Sequence, residues 1–135
     1  MSRRLVLPAL LLSLLTPSIG AAQNYVTTTA HRVPFDRVDS LRKLLKETQP
    51  VLAEAKRRGG ILETVWLVHA WGGEYNVVQT TTWKSWAAIM DTTLGFDAAT
   101  RKVYPDSVAR KKINDRFNWV FEGVSHVDNI YQKVE

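Results

Sequence analysis

Residues 61–83 read ILETVWLVHAWGGEYNVVQTTTW, and this stretch predicts a β-hairpin. Both halves are rich in β-branched and aromatic residues, which favour strands. Only the glycine pair 72–73 separates them, and tight hairpin turns need positive φ angles that glycine adopts without steric cost. Two antiparallel strands, over residues 61–71 and 74–83, are therefore expected.

A two-residue turn also fixes the register, because the residue numbers of each opposed pair then sum to 145. One face carries the pairs His69–Asn76, Leu67–Val78 and Val65–Thr80. The other face carries Ala70–Tyr75, Val68–Val77, Trp66–Gln79 and Thr64–Thr81. An antiparallel sheet with one wet side alternates cleanly between apolar and polar residues, whereas here both faces hold apolar ones. We predict that both are covered, one by helices and the other by a further layer.

The chain before the hairpin predicts a strand and a long amphipathic helix. The strand covers residues 25–33 and ends before Pro34, and Asp36 is the expected N-cap of the helix. Apolar residues then recur at helical spacing, namely Val38, Leu41, Leu45, Leu52 and Ala55. Pro50 removes one backbone donor, so the helix is expected to kink or break near Thr48. Gly59 and Gly60 end it.

The chain after the hairpin predicts two helices and a last strand. The first helix covers residues 86–94, is capped by Ser85, and is expected to face inward through Trp86, Ile89, Met90 and Leu94. A loop is expected over residues 95–104. The second helix, residues 105–122, has Ala109, Ile113, Phe117 and Val120 as its buried stripe. Residues 125–134 form the last strand.

This order of elements, β-α-β-β-α-α-β, predicts an α+β domain with the split βαβ of the ferredoxin-like fold. A right-handed crossover makes the first two strands parallel, with the third between them and the fourth beside the first. The result is a four-stranded antiparallel sheet with helices on one face. The other face is too apolar to stay in water and is expected to be buried by a partner.

Residues 69–78 (HAWGGEYNVV) and 83–86 (WKSW) resemble small exported bacterial proteins of the dimeric α/β-barrel superfamily that have no assigned activity. In that superfamily two ferredoxin-like units join sheet to sheet and enclose a cavity. Its members include antibiotic-biosynthesis-type monooxygenases, haem-degrading enzymes, chlorite-dismutase-like proteins and binding proteins. The resemblance therefore implies a homodimer with a cavity and no particular chemistry.

Residues 1–22 have the three parts of a secretory signal peptide. Arg3 and Arg4 precede an apolar stretch over residues 5–15, and small residues lead to an expected cleavage after Ala22. The apolar stretch is shorter than the roughly 20 residues that span a bilayer. We predict an exported protein, periplasmic or secreted, whose mature chain is a single domain over residues 23–135 with no membrane contact.

The composition favours a domain that folds without covalent cross-links. There is no cysteine, which excludes disulfides and a lipid-modified cysteine. Cleavage would remove two of the 18 basic residues and none of the 13 acidic ones, lowering the net charge from +5 to +3. The remaining charges are scattered, whereas a nucleic-acid-binding protein usually concentrates them in a basic patch. No nucleic-acid partner is predicted.

The three histidines are His31, His69 and His126, and their spacing does not predict a metal site, since neither HxxxH nor HxH occurs. His31 and His69 are expected near the same edge of the sheet, where they could share a site. The alternative is an ordinary hydrogen-bonded histidine, for example His69 bonded to Asn76.

A pocket wall is predicted on the mixed face of the hairpin. Trp66 lies there opposite Gln79, and Thr27, Thr29 and His31 share one face of the first strand. The candidate pocket residues are therefore His31, His69, Asn76, Trp66, Gln79, Thr27 and Thr29. The alternative is that the aromatic residues fill the core and the dimer interface, which is favoured for Trp86 because it follows the helix stripe.

Two functions follow as hypotheses. The first is a non-catalytic exported homodimer whose inter-sheet cavity binds a small apolar or aromatic molecule. The second is a monooxygenase or haem-handling enzyme that uses the same cavity, with His31 or His69 as its polar residue. No cofactor is predicted except haem under the second hypothesis. Whether the protein is an enzyme stays open.

Overall fold

The computed structural model describes residues 23–69 and 74–134. The predicted signal peptide, residues 1–22, lies outside the described residues, so export and its compartment stay predictions. The hairpin turn at 70–73 lies outside them too. Among the described residues, no helix is both long enough and apolar enough to cross a bilayer.

The described chain forms four strands and five helices around one sheet. In chain order the elements are β1 (Tyr25–His31), α1 (Phe35–Glu47), α2 (Gln49–Arg57), β2 (Ile61–Val68), β3 (Val77–Trp83), α3 (Trp86–Met90), α4 (Phe96–Val103), α5 (Ser107–Phe121) and β4 (His126–Gln132). The strand order is β2-β3-β1-β4, and every neighbouring pair is antiparallel. The predicted ferredoxin-like sheet, with β3 between β1 and β2 and β4 beside β1, is confirmed.

The register predicted from the two glycines is also confirmed. Trp66 pairs with Gln79 and Thr64 pairs with Thr81, as the two-residue turn requires. The backbone N–H of His69 donates to the carbonyl of Asn76 at 2.7 Å, which carries the pairing beyond β2. A bulge at Leu62 shifts the register by one residue near the start of the strand.

The helices cover the face of the sheet that carries Thr64, Trp66, Val77 and Thr81. On β3, Val77 and Thr81 are buried. On the opposite side, which we call the open face, Val65 and Leu67 remain 38% and 54% exposed. The open face is formed by the alternate residues Val26, Thr28, Ala30, Glu63, Val65, Leu67, Val78, Thr80, Thr82, Val127, Asn129 and Tyr131. It is mainly apolar and threonine-rich, and Glu63 is its single acidic residue.

The predicted long helix breaks at Thr48, as Pro50 indicated. Pro50 has no N–H to donate to the carbonyl of Lys46. At the junction, the Thr48 hydroxyl donates to the carbonyl of Leu44 at 2.9 Å. The start of α1 differs from the prediction, because Pro34 occupies the N-cap position and no side chain caps it. Asp39 pairs with Arg42, one turn further along the helix.

Two predictions for the second half of the chain were wrong. The expected loop at 95–104 contains α4, whose Ala99 is buried against α2. The helix expected over residues 86–94 is only Trp86–Met90. Of its four expected inward residues, Ile89 and Leu94 do pack against the core, whereas Trp86 and Met90 are 50% and 66% exposed. Its cap is as predicted, since the Ser85 hydroxyl accepts from the N–H of Ala88 at 3.2 Å.

The core between sheet and helices consists of two packed clusters. The first joins α2, α3 and α4 to the sheet through buried Val51, Ala55, Ile61, Trp83, Ala88 and Ala99. The second joins α1 and α5 to the sheet through buried Val33, Val38, Leu41, Val77 and Val120. The predicted α5 stripe is confirmed in its buried members Ile113 and Val120.

Candidate functional site

A cavity of about 400 Å³ lies between the two core clusters, under the helices and above the sheet. The sheet contributes Thr29, His31, Thr64, Trp66 and Gln79. The helices and their junctions contribute Leu45, Thr48, Gln49, Val51, Leu52, Phe96, Thr100, Ile113, Asn114, Phe117 and Phe121. Ligand pockets commonly enclose roughly 300–1,000 Å³ and are lined mainly by apolar and aromatic side chains, which matches this cavity.

The helix break at Thr48 shapes one side of the cavity. It lets Leu45 at the end of α1 and Leu52 in α2 both reach the same space. Among the lining residues, Gln49 and Asn114 are the ones exposed to solvent. The mouth of the cavity therefore lies between the start of α2 and the middle of α5.

Aromatic rings form the wall at the other end. The His31 ring lies 4.4 Å from that of Phe121 and is stacked 6.5 Å from that of Trp66, centroid to centroid. Trp66 and Phe121 are themselves stacked at 6.3 Å. Alternation along β1 and β2 directs His31 and Trp66 to the helical side, where Phe121 at the end of α5 meets them.

His31 is the titratable residue of this wall. Burial lowers its pKa from the ordinary 6.5; nearby His126 lowers it further, and the Asp128 carboxylate opposes the shift. His126 lies beside His31 at 5.7 Å between ring centroids, and its Nε2 is 3.4 Å from an Asp128 oxygen. The imidazole of His31 is therefore uncharged at neutral pH and can accept a proton from a bound molecule.

This shift predicts how stability depends on pH. As pH falls, the unfolded chain takes up the proton before the folded His31 does. The free energy of unfolding should therefore decrease as the pH falls below 6.5. It should level off at the pH where folded His31 is protonated as well. Urea unfolding at about pH 7.5 and about pH 5.5 should show a smaller loss for His31→Gln than for the unaltered protein. His69→Gln is the control, and an equal loss in both variants would contradict the prediction.

Several polar groups of the cavity are already used within the protein. The Thr48 and Thr100 hydroxyls donate to the carbonyls of Leu44 and Phe96, and the Thr64 and Thr81 hydroxyls bond each other at 3.2 Å. Among the described residues that line the cavity, five polar side chains have no hydrogen-bond partner within the protein: Thr29, His31, Trp66, Gln79 and Asn114. These groups, two of which are amides, are available to a bound molecule.

Four of the seven predicted pocket residues line this cavity: Thr29, His31, Trp66 and Gln79. The sequence hypothesis placed them between two sheets. Their side chains lie instead on the helical side, within a single chain, because that face of the hairpin meets α1 and α5. Their role in binding stays a prediction.

The other three predicted residues are not part of the cavity. The Asn76 side chain is buried; its Oδ1 accepts from the N–H of Val33 and its Nδ2 donates to the Val33 carbonyl, both at 2.7 Å. Thr27 accepts from the indole N–H of Trp83 at 2.9 Å. His69 is exposed at the end of β2 and meets Asn76 through the backbone.

The helical half of the lining was not among the predicted pocket residues. Phe117 lay on the predicted α5 stripe as a core residue, and Phe96 lay in the predicted loop. Asn114 precedes Phe117 by three residues and Phe121 follows it by four, so all three lie on one side of the helix. That spacing was the signal that could have added Asn114 and Phe121 to the predicted lining. Within the described ranges, no group of three histidine or acidic residues is placed to hold a metal ion.

Comparison with known proteins supports the fold. A dimeric ferredoxin-like protein from an uncultured marine organism has 15% identity and a TM-score of 0.55, with 84% of this chain and 97% of that chain covered. A second such protein, also from an uncultured marine organism, has 11% identity and a TM-score of 0.56, with 84% and 90% covered.

A cofactor-independent oxygenase from Streptomyces nogalater has 9% identity and a TM-score of 0.50, with 84% of this chain and 96% of that chain covered. No protein-family model matches the chain, and no curated protein does. At these identities the similarity shows the fold, which is the ferredoxin-like fold of proteins described as dimeric. The resemblance noted in the sequence is confirmed at that level.

Proposed function

From this shared fold, we propose that the protein is a homodimer in which each subunit binds one small, mainly aromatic molecule in its own cavity. The observation that carries the proposal is the cavity itself, about 400 Å³ bounded by Trp66, Phe117 and Phe121. A well-packed interior leaves few voids larger than a water molecule. A space of this size, lined by aromatic rings and opening beside a free amide, therefore fits a ligand site.

The open face supports the homodimer. It carries exposed Val65 and Leu67 on the edge strand β2 and exposed Val127 and Tyr131 on the opposite edge strand β4. The same face of the two central strands carries Val78, Ala30 and Val26, and an apolar surface of this kind marks an interaction site. Two structural counterparts are described as dimeric. The open face carries no lysine or arginine and is mainly apolar. A second copy of the same face can therefore cover it.

A second candidate function is a monooxygenase that acts on an electron-rich aromatic molecule. It is favoured by His31, a half-buried neutral imidazole on the cavity wall, and by the oxygenase among the structural counterparts. His31 would accept a proton from a substrate hydroxyl, which makes the ring easier to oxidise. Haem handling rests on the sequence hypothesis alone.

One titration tests both candidates. Naphthol is added to the purified protein, and binding is followed by calorimetry while an electrode records dissolved oxygen. We expect saturation at one naphthol per chain. Thr29→Phe, which points a ring into the cavity, should weaken binding by at least about tenfold, because the occupied space is no longer available.

Thr28→Phe is the matched control, since it makes the same change one residue away but points to the open face. It should leave naphthol affinity unchanged. Loss of binding in Thr28→Phe alone would place the molecule between two sheets and overturn the proposed site. Oxygen uptake that stops in His31→Gln would favour the monooxygenase, and bound but unchanged naphthol would favour the binding protein.

A further inference from the structure

The cavity wall contains no ionised side chain among the described residues. None of the lining residues is aspartate, glutamate, lysine or arginine, although the chain contains 31 of these residues in total, 18 basic and 13 acidic. His31 is the one titratable member of the wall, and burial keeps its imidazole uncharged at neutral pH. A charged ligand group would therefore find no counter-ion on this wall.

Two charged residues close to the cavity have their partners outside its lining. Arg116 follows cavity residue Asn114 on α5, but its guanidinium bonds Glu47 at 2.6 Å on the surface. Asp128 pairs with His126 on the exposed strand β4. Both contacts lie outside the lining, so a charge brought into the cavity would lose its water without gaining a partner, which is costly.

The free polar groups of the wall are all uncharged: two amides, the Thr29 hydroxyl, the Trp66 indole N–H and the His31 imidazole. Gln79 lies on the sheet and Asn114 at the mouth, and each amide offers both a donor and an acceptor. Such groups can bond a carbonyl, an amide or a hydroxyl without requiring a charge. Trp66 and Phe121 supply flat surfaces beside them.

We infer that the cavity selects uncharged aromatic molecules bearing a carbonyl, amide or hydroxyl group, and rejects carboxylates, phosphates and ammonium ions of the same ring size. This inference rests on the proposed function, since it concerns the ligand of the same cavity. It adds the rule by which that ligand is chosen, with Gln79 as a specificity-determining residue.

The test compares naphthamide with naphthoate, which share a ring system and differ in charge at neutral pH. We expect naphthamide to bind at least about tenfold more tightly in calorimetric titrations. Gln79→Lys places an ammonium group beside the ring and should reverse the order, so that naphthoate binds more tightly than naphthamide. Gln79→Met keeps the wall neutral but removes the amide, and should weaken naphthamide binding several-fold.

The outcomes separate the two levels of the proposal. If naphthol binds but naphthoate binds as tightly as naphthamide, the charge rule is wrong and the cavity remains a ligand site. If naphthol, naphthamide and naphthoate all fail to bind, the proposed function is wrong and the rule falls with it. Circular dichroism of Gln79→Lys confirms its fold, and Gln79→Met provides the second comparison if Gln79→Lys does not fold.

Discussion

Replacing Leu67 by aspartate is expected to turn the proposed homodimer into a folded monomer. Leu67 is 54% exposed on the open face, next to Val65 and opposite Val78. A carboxylate buried there without a partner would cost about 3 kcal/mol of association energy, which corresponds to about a hundredfold weaker dimer. Light scattering at micromolar concentration should give the mass of two chains for the unaltered protein and of one chain for the variant.

Phe35→Asp is the control for this change. Phe35 is more exposed, at 83%, but it begins α1 and lies outside the sheet. The variant should therefore remain a dimer. A monomeric unaltered protein, or a Leu67→Asp variant with the mass of two chains, would show that the open face is not the interface.

Replacing Asn76 by alanine is expected to lower the free energy of unfolding by about 3 kcal/mol. The Asn76 amide satisfies both the N–H and the carbonyl of Val33, which is 2% exposed. Alanine would leave two buried backbone groups without partners, at about 1–3 kcal/mol each. Urea unfolding at a fixed protein concentration measures the loss.

Asn118→Ala provides the comparison, since Asn118 is exposed on α5 and a surface substitution of this kind usually changes stability by less than about 0.5 kcal/mol. Similar stabilities for the two variants would mean that the Asn76 bonds to Val33 contribute little. Asn76 was a candidate pocket residue in the sequence. A clearly larger loss of stability for Asn76→Ala than for Asn118→Ala would establish that its role is structural.

The sheet could be predicted because its pairing depends on local signals. The register predicted from the glycine pair 72–73 matches the pairing of β2 and β3 from Glu63 onward, as the Trp66–Gln79 pair shows. The face that meets the helices could not be predicted, since Val65 and Leu67 on one side are as apolar as Trp66 and Val68 on the other. Helix packing, a long-range event, makes that choice.

The element missed in the sequence, α4, shows a different limit. Its Phe96, Ala99 and Val103 have helical spacing, but Asp97, Arg101 and Lys102 make the segment polar enough to suggest a loop. Its apolar side packs against α2. Such a short helix is stabilised mainly by tertiary contacts, and local helix propensity does not account for them.

The candidate site was half predictable for a similar reason. Alternation along the strands brought Thr29, His31, Trp66 and Gln79 to one face, as expected from a period of two. The residues opposite them, such as Phe117 and Phe121, belong to a helix stripe. A stripe that fills a core and one that borders a cavity have the same spacing, so only the packed structure distinguishes them.

The single layer of strands separates the cavity on its helical side from the open face on its other side. Neighbouring residues of β1, Thr28 and Thr29, lie on opposite sides of it. Each chain thus contains every lining residue of its own chamber, whatever covers the reverse side. If dilution separates the proposed dimer into single chains, the stoichiometry should stay at one small molecule per chain. In the dimer, ligand binding to one cavity should not change the affinity of the other.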